Sequence, residues 1–453
     1  MSTPPANFRV IIVGGGPIGL TAAHMLSKAG IDFILLERRG TVTPQDGTSL
    51  AIAPQTLRVL DQLDLLEPVR WIDHAIRKKN IVTHKGVLYN TTYPPIWAEE
   101  DHGRPYFMVH RPEFLETLYN HLSDADKGWI FTHKNVVDIE SNPDGVIVKC
   151  DDGTEVDGHI VIGADGVHSR VRKEMRNLAL LKNPRATVND EQPLEASYRC
   201  LYATTDLMPG MVPGESWGAH GSGASTQVFV GRDRTWFFVY EQLDWPTRDW
   251  KKYSAKEEEE FVAKYGKLAM TERYRLKDLY AVKRNSTLVN LEEGTMKVFS
   301  FERLAIVGDA VNKQTPNVGN GYNSGVQDLV VLTTGLRKLL DSREVGEIAT
   351  ENVQEVLQEY QALRERDAKD ICGKSGQATR MQAWNTWGLW LFERYIMPWG
   401  NMDRRVFSKM AGDIIRKGRV LPFLEEKDLR HGKVPWVHFP TVGPTKVETS
   451  SVS

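Results

Sequence analysis

Cysteine is nearly absent: Cys150, Cys200 and Cys372 are the only three in 453 residues. An odd, widely spaced set excludes a disulfide framework and a clustered zinc site, so no metal is expected and a reducing compartment fits. An excess of one charge is also lacking. With 57 Lys and Arg against 59 Asp and Glu, the formal net charge is -2. The basic surplus typical of nucleic-acid binders is missing, and no nucleic-acid partner is expected. No apolar run reaches the ~18 residues of a membrane span. Residues 1–8 are polar, without the charged and then apolar stretches of a secretory signal, so a cytoplasmic location is expected. There is no internal repeat.

What is present reads as a soluble globular chain of two or three lobes, 41% hydrophobic and 26% charged. Residues 9–13 (RVIIV) have the β-branched character of a buried strand. A glycine-rich turn follows, then a helix from about Pro17 to Ala29 with Ala22, Leu26 and Ala29 on one face. Gly30 stops it, and residues 31–37 (IDFILLE) form a second strand. Further helices are predicted over 54–67 and 112–122. A hairpin is predicted around Asp151-Asp152-Gly153, and a second apolar strand over 159–163. Between about 180 and 290 the pattern alternates, as at 226–230 and 235–240, which predicts antiparallel strands beside a charged helix near 255–265. A third buried strand at 303–308 precedes a long helix over 322–341. The last hundred residues read as mostly helical, with a disordered tail after Pro440.

The turn Gly14-Gly15-Gly16-Pro17-Ile18-Gly19 satisfies Gly-x-Gly-x-x-Gly between a strand and a helix. In that setting Gly14 allows the tight turn, Gly16 lets backbone approach a pyrophosphate, and Gly19 lets helix pack on strand. The helix N-terminus offers free N–H groups to the phosphates. Glu37 ends the second strand, where a carboxylate accepts from an adenosine ribose. Two later motifs follow the other apolar strands: Gly163-Ala164-Asp165-Gly166-Val167-His168-Ser169-Arg170, and Gly308-Asp309-Ala310 with Thr315-Pro316-Asn317-Val318-Gly319-Asn320-Gly321-Tyr322-Asn323.

In this order and spacing the three motifs resemble flavin-dependent hydroxylases of the p-hydroxybenzoate hydroxylase type, and more closely fungal FAD-dependent monooxygenases of indole-diterpene, meroterpenoid and polyketide pathways. The resemblance covers about 9–175 and 295–340 and is weak elsewhere. It implies an α/β (mixed α+β) fold: a Rossmann-type FAD-binding domain over 1–73, 108–176 and 294–345, an inserted, mainly antiparallel β substrate domain over 74–107 and 177–293, and a helical C-terminal region over 346–453. It implies non-covalent FAD, with NADPH or NADH as co-substrate, and oxygen transfer through a flavin hydroperoxide. Asp309 then accepts from ribityl hydroxyls, Arg111 contacts the dinucleotide, and Ala51 is a small residue where backbone meets cofactor. Gly319, Gly321 and Tyr322 open the long helix at the pyrimidine edge, and Pro316 shapes the oxygen-reacting face. Asp165 is structural first and a cofactor contact second. The family's Gly-Asp-Ala-Ala-His and Gly-Gln-Gly are replaced here by Gly308-Asp309-Ala310-Val311-Asn312 and Gly319-Asn320-Gly321.

On the substrate side the candidates are Tyr198, Arg199, Trp217, His220, Trp236 and Tyr240, with Trp217 matched loosely to an active-site tyrosine of the fungal relatives. An arginine and tyrosine pair for phenolate formation is not identifiable, which favours alkene or indole substrates. The expected partners are a small lipophilic substrate and dioxygen. The aromatic stretch 384–399 has two open readings, a packed helix or a surface for a partner or a membrane interface. A flavin-linked oxidase or dehydrogenase and a non-catalytic flavoprotein on the same fold remain alternatives.

Overall fold

In the computed structural model, which describes residues 8–45, 47–72, 75–343 and 348–442, the apolar strands of the motifs lie side by side. Arg9–Val13 is central, parallel to Asp32–Leu36 on one side and to Ile160–Gly163 on the other, with Leu304–Ile306 beyond. All three motif-bearing strands therefore end at the same edge. Their interior residues are fully buried (Val10, Ile11 and Ile12 at 0% exposure), as expected of a parallel sheet covered on both faces. The helix Pro17–Ala29 is closed by Gly30 in the left-handed region at φ 66°, and Gly321–Ser342 packs against it.

A second, eight-stranded sheet takes its strands from Lys78–Thr83, Leu88–Thr92 and the run between Glu195 and Thr295, with the short Asn312–Lys313 at its edge. One face carries Tyr198, Trp236, Phe238 and Tyr240 towards the parallel-sheet layer. The other buries Leu201, Val228, Phe237 and Val239 under the helices Ala255–Tyr265 and Leu276–Tyr280.

One expectation needs correction. The helix predicted over 54–67 is two helices, Pro54–Gln62 and Leu66–Arg70, because Asp64 sits at φ 63°, a left-handed conformation that breaks the helical path. The last hundred residues are mostly helical, but among the described residues the helices stop at Arg416. Thr350–Gln382 is one 33-residue helix, and short helical turns continue to Arg416. Residues 418–442 then run as an irregular strap, consistent with Gly418, Pro422, Pro435 and Pro440 in that stretch. A buried ion pair and a buried hydrogen bond hold the strap: Glu426 accepts from Arg58 Nε at 2.9 Å, and Gln62 donates to the Leu421 carbonyl at 2.8 Å. The expected disordered tail falls mainly on 443–453, outside the described residues. Among the described residues no helix is long and apolar enough to cross a membrane.

Inside the parallel layer, Asp328 and Arg364 are a buried pair, with Asp328 accepting from Arg364 Nε at 2.8 Å and from the Gly308 N–H at 3.0 Å. Arg364→Met leaves that carboxylate uncompensated and is expected to cost ~3–5 kcal/mol of stability. An unfolding midpoint equal to wild type would show that the pair does not hold the Gly308 turn.

Candidate active site

The glycine turn behaves as three different steric demands. Gly14 adopts φ +107°, and a Cβ there would lie 2.6 Å from the Ala164 carbonyl oxygen. At Gly19 it would lie 1.8 Å from the Gly14 oxygen, so this glycine is what lets the helix meet the strand. At Gly16 an added Cβ would meet nothing within 4 Å: the backbone faces open space, and the helix start has no side-chain cap. That is a cradle with free N–H donors at a positive helix end, and it fits a pyrophosphate. Glu37 is buried beside it. One carboxylate oxygen accepts from the Gly15 N–H at 2.6 Å and the other from the Arg39 N–H at 2.9 Å, so it braces the turn as well as facing the cleft.

The other motifs converge on the same space. Asp165 accepts from the Arg170 and Val171 N–H groups at 2.7 and 3.0 Å, capping the helix Arg170–Lys182, which is its structural role. Arg172 then joins this motif to the next, donating to the Val167 carbonyl at 2.7 Å and the Ala310 carbonyl at 2.9 Å. Asp309 is partly exposed to the cleft and paired with Lys313 at 2.6 Å. Arg111 starts a helix against the same cleft. Burial lowers its pKa while Asp309 opposes that shift, and among the described residues no carboxylate pairs with its guanidinium. A cation held this way suits an anionic cofactor.

Asn323, quoted in the late motif without a role, is the pin of the site. Its Nδ2 donates to the carbonyls of Ala51 and Gly319 at 2.9 and 2.8 Å, and its Oδ1 accepts from the Ala53 N–H at 2.9 Å. This clamps the strand Ser49–Ile52 onto the late turn. A Cβ at Gly319, which has φ +67°, would come within 2.5 Å of the Ala51 Cβ, so a small residue at 51 and glycine at 319 are demanded together. The turn is also held from behind: Thr379 donates to Thr315 Oγ1 and Asn317 Oδ1 at 2.9 Å, and Asn317 donates to Gln382 at 2.8 Å. From the second sheet, Gln227 donates to the Asn317 carbonyl at 2.9 Å and accepts from the Tyr240 hydroxyl at 2.9 Å.

Between these walls lies a cavity of about 1120 Å³ that runs from the glycine turn to the inner face of the eight-stranded sheet. Gly14, Gly16, Glu37, Ala51, Arg111, Asp309, Pro316, Gly319, Gly321 and Tyr322 all border it; Gly19 lies behind, as its packing role requires. Tyr322 is 8% exposed, its hydroxyl 2.9 Å from Thr21 Oγ1 and its ring edge-on to Phe114, so the phenol points into the parallel layer rather than at a ring in the cleft.

The substrate-side expectations fare less well. Trp217 borders the cavity, but its side chain packs with Val82, Ala219 and Ala269 on the outer face of the sheet, because strand register puts it opposite Val228. Tyr198 donates to Asn385 at 2.6 Å, Arg199 pairs with Glu241, and Trp236 is fully buried; none of the three borders the cavity. His220 is 3.0 Å from Glu393, also away from it. Burial favours neutral Glu393 and neutral His220 alike, while the hydrogen bonds from His220, Trp384 and Tyr89 hold the Glu393 carboxyl below the usual carboxylate range. Tyr240 does face the cavity, joined by Tyr202, Phe229, Phe238, Met108 and Lys79, which the sequence reading did not single out. Met108 comes from the strand Phe107–His110, and the common signal of the others is residence on one face of the eight-stranded sheet, which single-strand alternation cannot orient without the register.

Residues 7–188 and 232–372 match the FAD binding domain family. The chain is 33% identical over 449 residues to the FAD-dependent monooxygenase srdH of Neurospora crassa, covering 95% of this chain and 98% of that protein. It is 30% identical over 449 residues to the FAD-dependent monooxygenase ausM of Penicillium brasilianum, covering 98% and 93%. In fold it is similar to Klebsiella pneumoniae HpxO complexed with FAD and uric acid, with a TM-score of 0.72 at 19% identity, covering 91% of this chain and 98% of that one. The 2,6-dihydroxypyridine-3-hydroxylase of Arthrobacter nicotinovorans superposes with a TM-score of 0.65 at 18% identity, covering 84% and 95%. The chain belongs to the FAD binding domain family, and it is an FAD-dependent monooxygenase.

Proposed function

We propose that the enzyme inserts one oxygen atom, by epoxidation or hydroxylation, into a lipophilic secondary metabolite, with NADPH or NADH as reductant. The observation that carries this reading is the single cavity joining the dinucleotide cradle to an aromatic sheet face. Bound FAD, reduced by NADPH or NADH, would supply the electrons that let one atom of dioxygen pass to the substrate while the other leaves as water. What the protein contributes is binding, orientation and exclusion of water. In this reading 1–73, 108–176 and 294–345 hold FAD, 74–107 and 177–293 form the substrate lobe, and the C-terminal region buttresses the late turn.

The roles divide by position. The N–H groups around Gly16 receive the pyrophosphate, Glu37 the adenosine ribose, and Asp309 the ribityl chain, while Arg111 balances the anionic charge. The uncapped start of Gly321–Ser342 aims its donors at the edge of the ring, where negative charge develops. Pro316 and Ala51 shape the wall beside it. Phe229, Phe238 and Met108 offer an apolar surface for a lipophilic substrate, and this surface takes the place given to Trp217. The secondary-metabolite assignment rests on the resemblance of the three motifs to those of fungal FAD-dependent monooxygenases. Trp387, Tyr395, Ile396 and Trp399 are exposed, and no membrane contact enters the proposal. Oxygen uptake matched to product, against a panel of prenylated indoles, meroterpenoids and polyenes, tests the reading. Hydrogen peroxide formed in place of oxygenated product from every substrate would instead indicate an oxidase.

Glu37→Ala is expected to weaken FAD binding by ~1.5–3 kcal/mol, the scale of a hydrogen bond to a charged group, or roughly ten- to a hundred-fold. Glu37→Gln keeps an acceptor for Gly15 and should lose less. Titration of apoprotein with FAD measures both, and wild-type affinity in the alanine variant would place the ribose partner elsewhere.

Gly321→Val should separate oxygen transfer from cofactor retention. A Cβ at this position has room, with Asp309 Oδ1 at 3.6 Å, so the fold tolerates it, but the branched side chain intrudes on the cleft. FAD is expected to remain, with product per NADPH reduced by about 10²–10³, the cost of losing one comparable donor. Unaltered coupling would move the oxygen-reacting face away from this turn.

A further inference from the structure

Lys79 is a lysine on the inner face of the substrate-side sheet with no role in the scheme above. Its strand Lys78–Thr83 pairs in parallel with Glu215–Gly221, and Lys79 stands opposite Ser216, which stands opposite Phe229, itself opposite Trp236. Residues paired in this way share a sheet face. Trp236 belongs to the inner cluster with Phe238 and Tyr240, so Lys79 projects to the side that holds the cavity, and it borders that cavity. Its neighbour Lys78 points the other way, to Glu215 at 3.2 Å.

The charge is unbalanced locally. Among the described residues no carboxylate lies within 4.0 Å of the Lys79 ammonium. Burial lowers its pKa, and only the more distant Glu393 opposes the shift. Glu393 is already committed, accepting from the Tyr89 hydroxyl at 2.8 Å and Trp384 Nε1 at 2.8 Å and lying 3.0 Å from His220 Nδ1. A desolvated ammonium with no partner of its own is costly, and its placement inside a binding cavity is what an anionic ligand group would repay.

The register also sets a length. Gln227, which touches the late turn through the Asn317 carbonyl, lies on Ala224–Val230, two strands from Lys79 across Glu215–Gly221. In register Gln227 faces Gly218 and then Ile81, so Lys79 is two strand spacings across, about 10 Å, and two residues along, about 7 Å, or about 12 Å in all.

We propose that Lys79 anchors an acidic oxygen group of the substrate, a carboxylate or an ionised enol or phenol. The substrate is then an amphiphile whose acidic head sits about 12 Å from Gln227, the residue that touches the flavin-side turn, with its apolar body along Phe229 and Phe238. This rests on the monooxygenase reading and narrows it, turning the preference for a neutral alkene or indole into one for an alkene- or arene-bearing acid. Lys79 is a binding residue here, and no proton transfer is asked of it.

Farnesoic acid and methyl farnesoate are a matched pair of probes, differing in the charge of the head. Their dissociation constants for the FAD-loaded enzyme can be read from perturbation of the flavin absorbance. Wild type is expected to bind the acid at least ten-fold more tightly than the ester. Lys79→Met should erase that preference by weakening the acid roughly ten- to a hundred-fold, with the ester little changed, and Lys79→Arg should keep most of it. The wild-type ratio needs no variant, so a misfolded substitution does not remove the test. Equal or tighter ester binding, a preference that survives in Lys79→Met, or no binding of either probe overturns the proposal. NADPH-dependent flavin reduction and oxygen uptake by wild type are read separately, against the panel of prenylated indoles, meroterpenoids and polyenes. Their absence would refute the monooxygenase reading, whereas their presence with no acid preference refutes only the anchor.

Discussion

Two backbones must touch with no side chain between them: the helix start at Gly19 and the strand end at Gly14, where a single methyl would fall 1.8 Å from a carbonyl oxygen. Once that approach is made, Gly16 faces open space and the helix dipole points into a cleft. Glu37 then braces the turn from the next strand, and Ala164 closes over Gly14 from the strand on the other side. Every later feature of the site is arranged against this fixed point. Arg172 joins the second motif to the third, and Asp328 with Arg364 holds the third motif under the long helix.

The second sheet is attached to this frame by polar contacts and by an apolar cluster of its own, in which Tyr198, Trp236, Phe238 and Tyr240 pack with Met108, Ala383 and Ala51. Gln227 reaches the Asn317 carbonyl, Thr379 and Gln382 support Asn317 from the C-terminal helix, and Asn323 ties the strand Ser49–Ile52 to the same turn. The largest apolar cluster lies in the parallel layer, and separate clusters serve the two faces of the antiparallel sheet. A cavity between layers held in this way can be lined with apolar side chains without being filled by them. The turn at its centre thus depends on side chains from three distant parts of the chain.

That dependence explains what could be read in the sequence. The glycine turn, both flanking strands and the helix Ala255–Tyr265 were legible because their signals are local: steric demands within six residues, or periodicity within one element. Asp165 was legible as a structural residue because it caps the helix that begins five residues on. Asn323 and Thr379 were not, since their partners lie 272 and 64 residues away and no local pattern marks either. Trp217 was misplaced for a related reason. Alternation gives two faces to a strand, but only pairing with Val228 decides which is the outer one. Lys79 is the converse case, an ordinary strand lysine in sequence that acquires meaning when the register puts it in the cavity.

In the proposed reading, one cavity brings the cofactor in the glycine cradle and an organic substrate together for transfer of a single oxygen atom. Turnover under isotopically heavy dioxygen, in ordinary water and with NADPH, tests it most directly. The account predicts product carrying one heavy oxygen, with NADPH consumed in equal amount. Product whose added oxygen comes from water, or product that gains no oxygen while hydrogen peroxide accumulates, would contradict it.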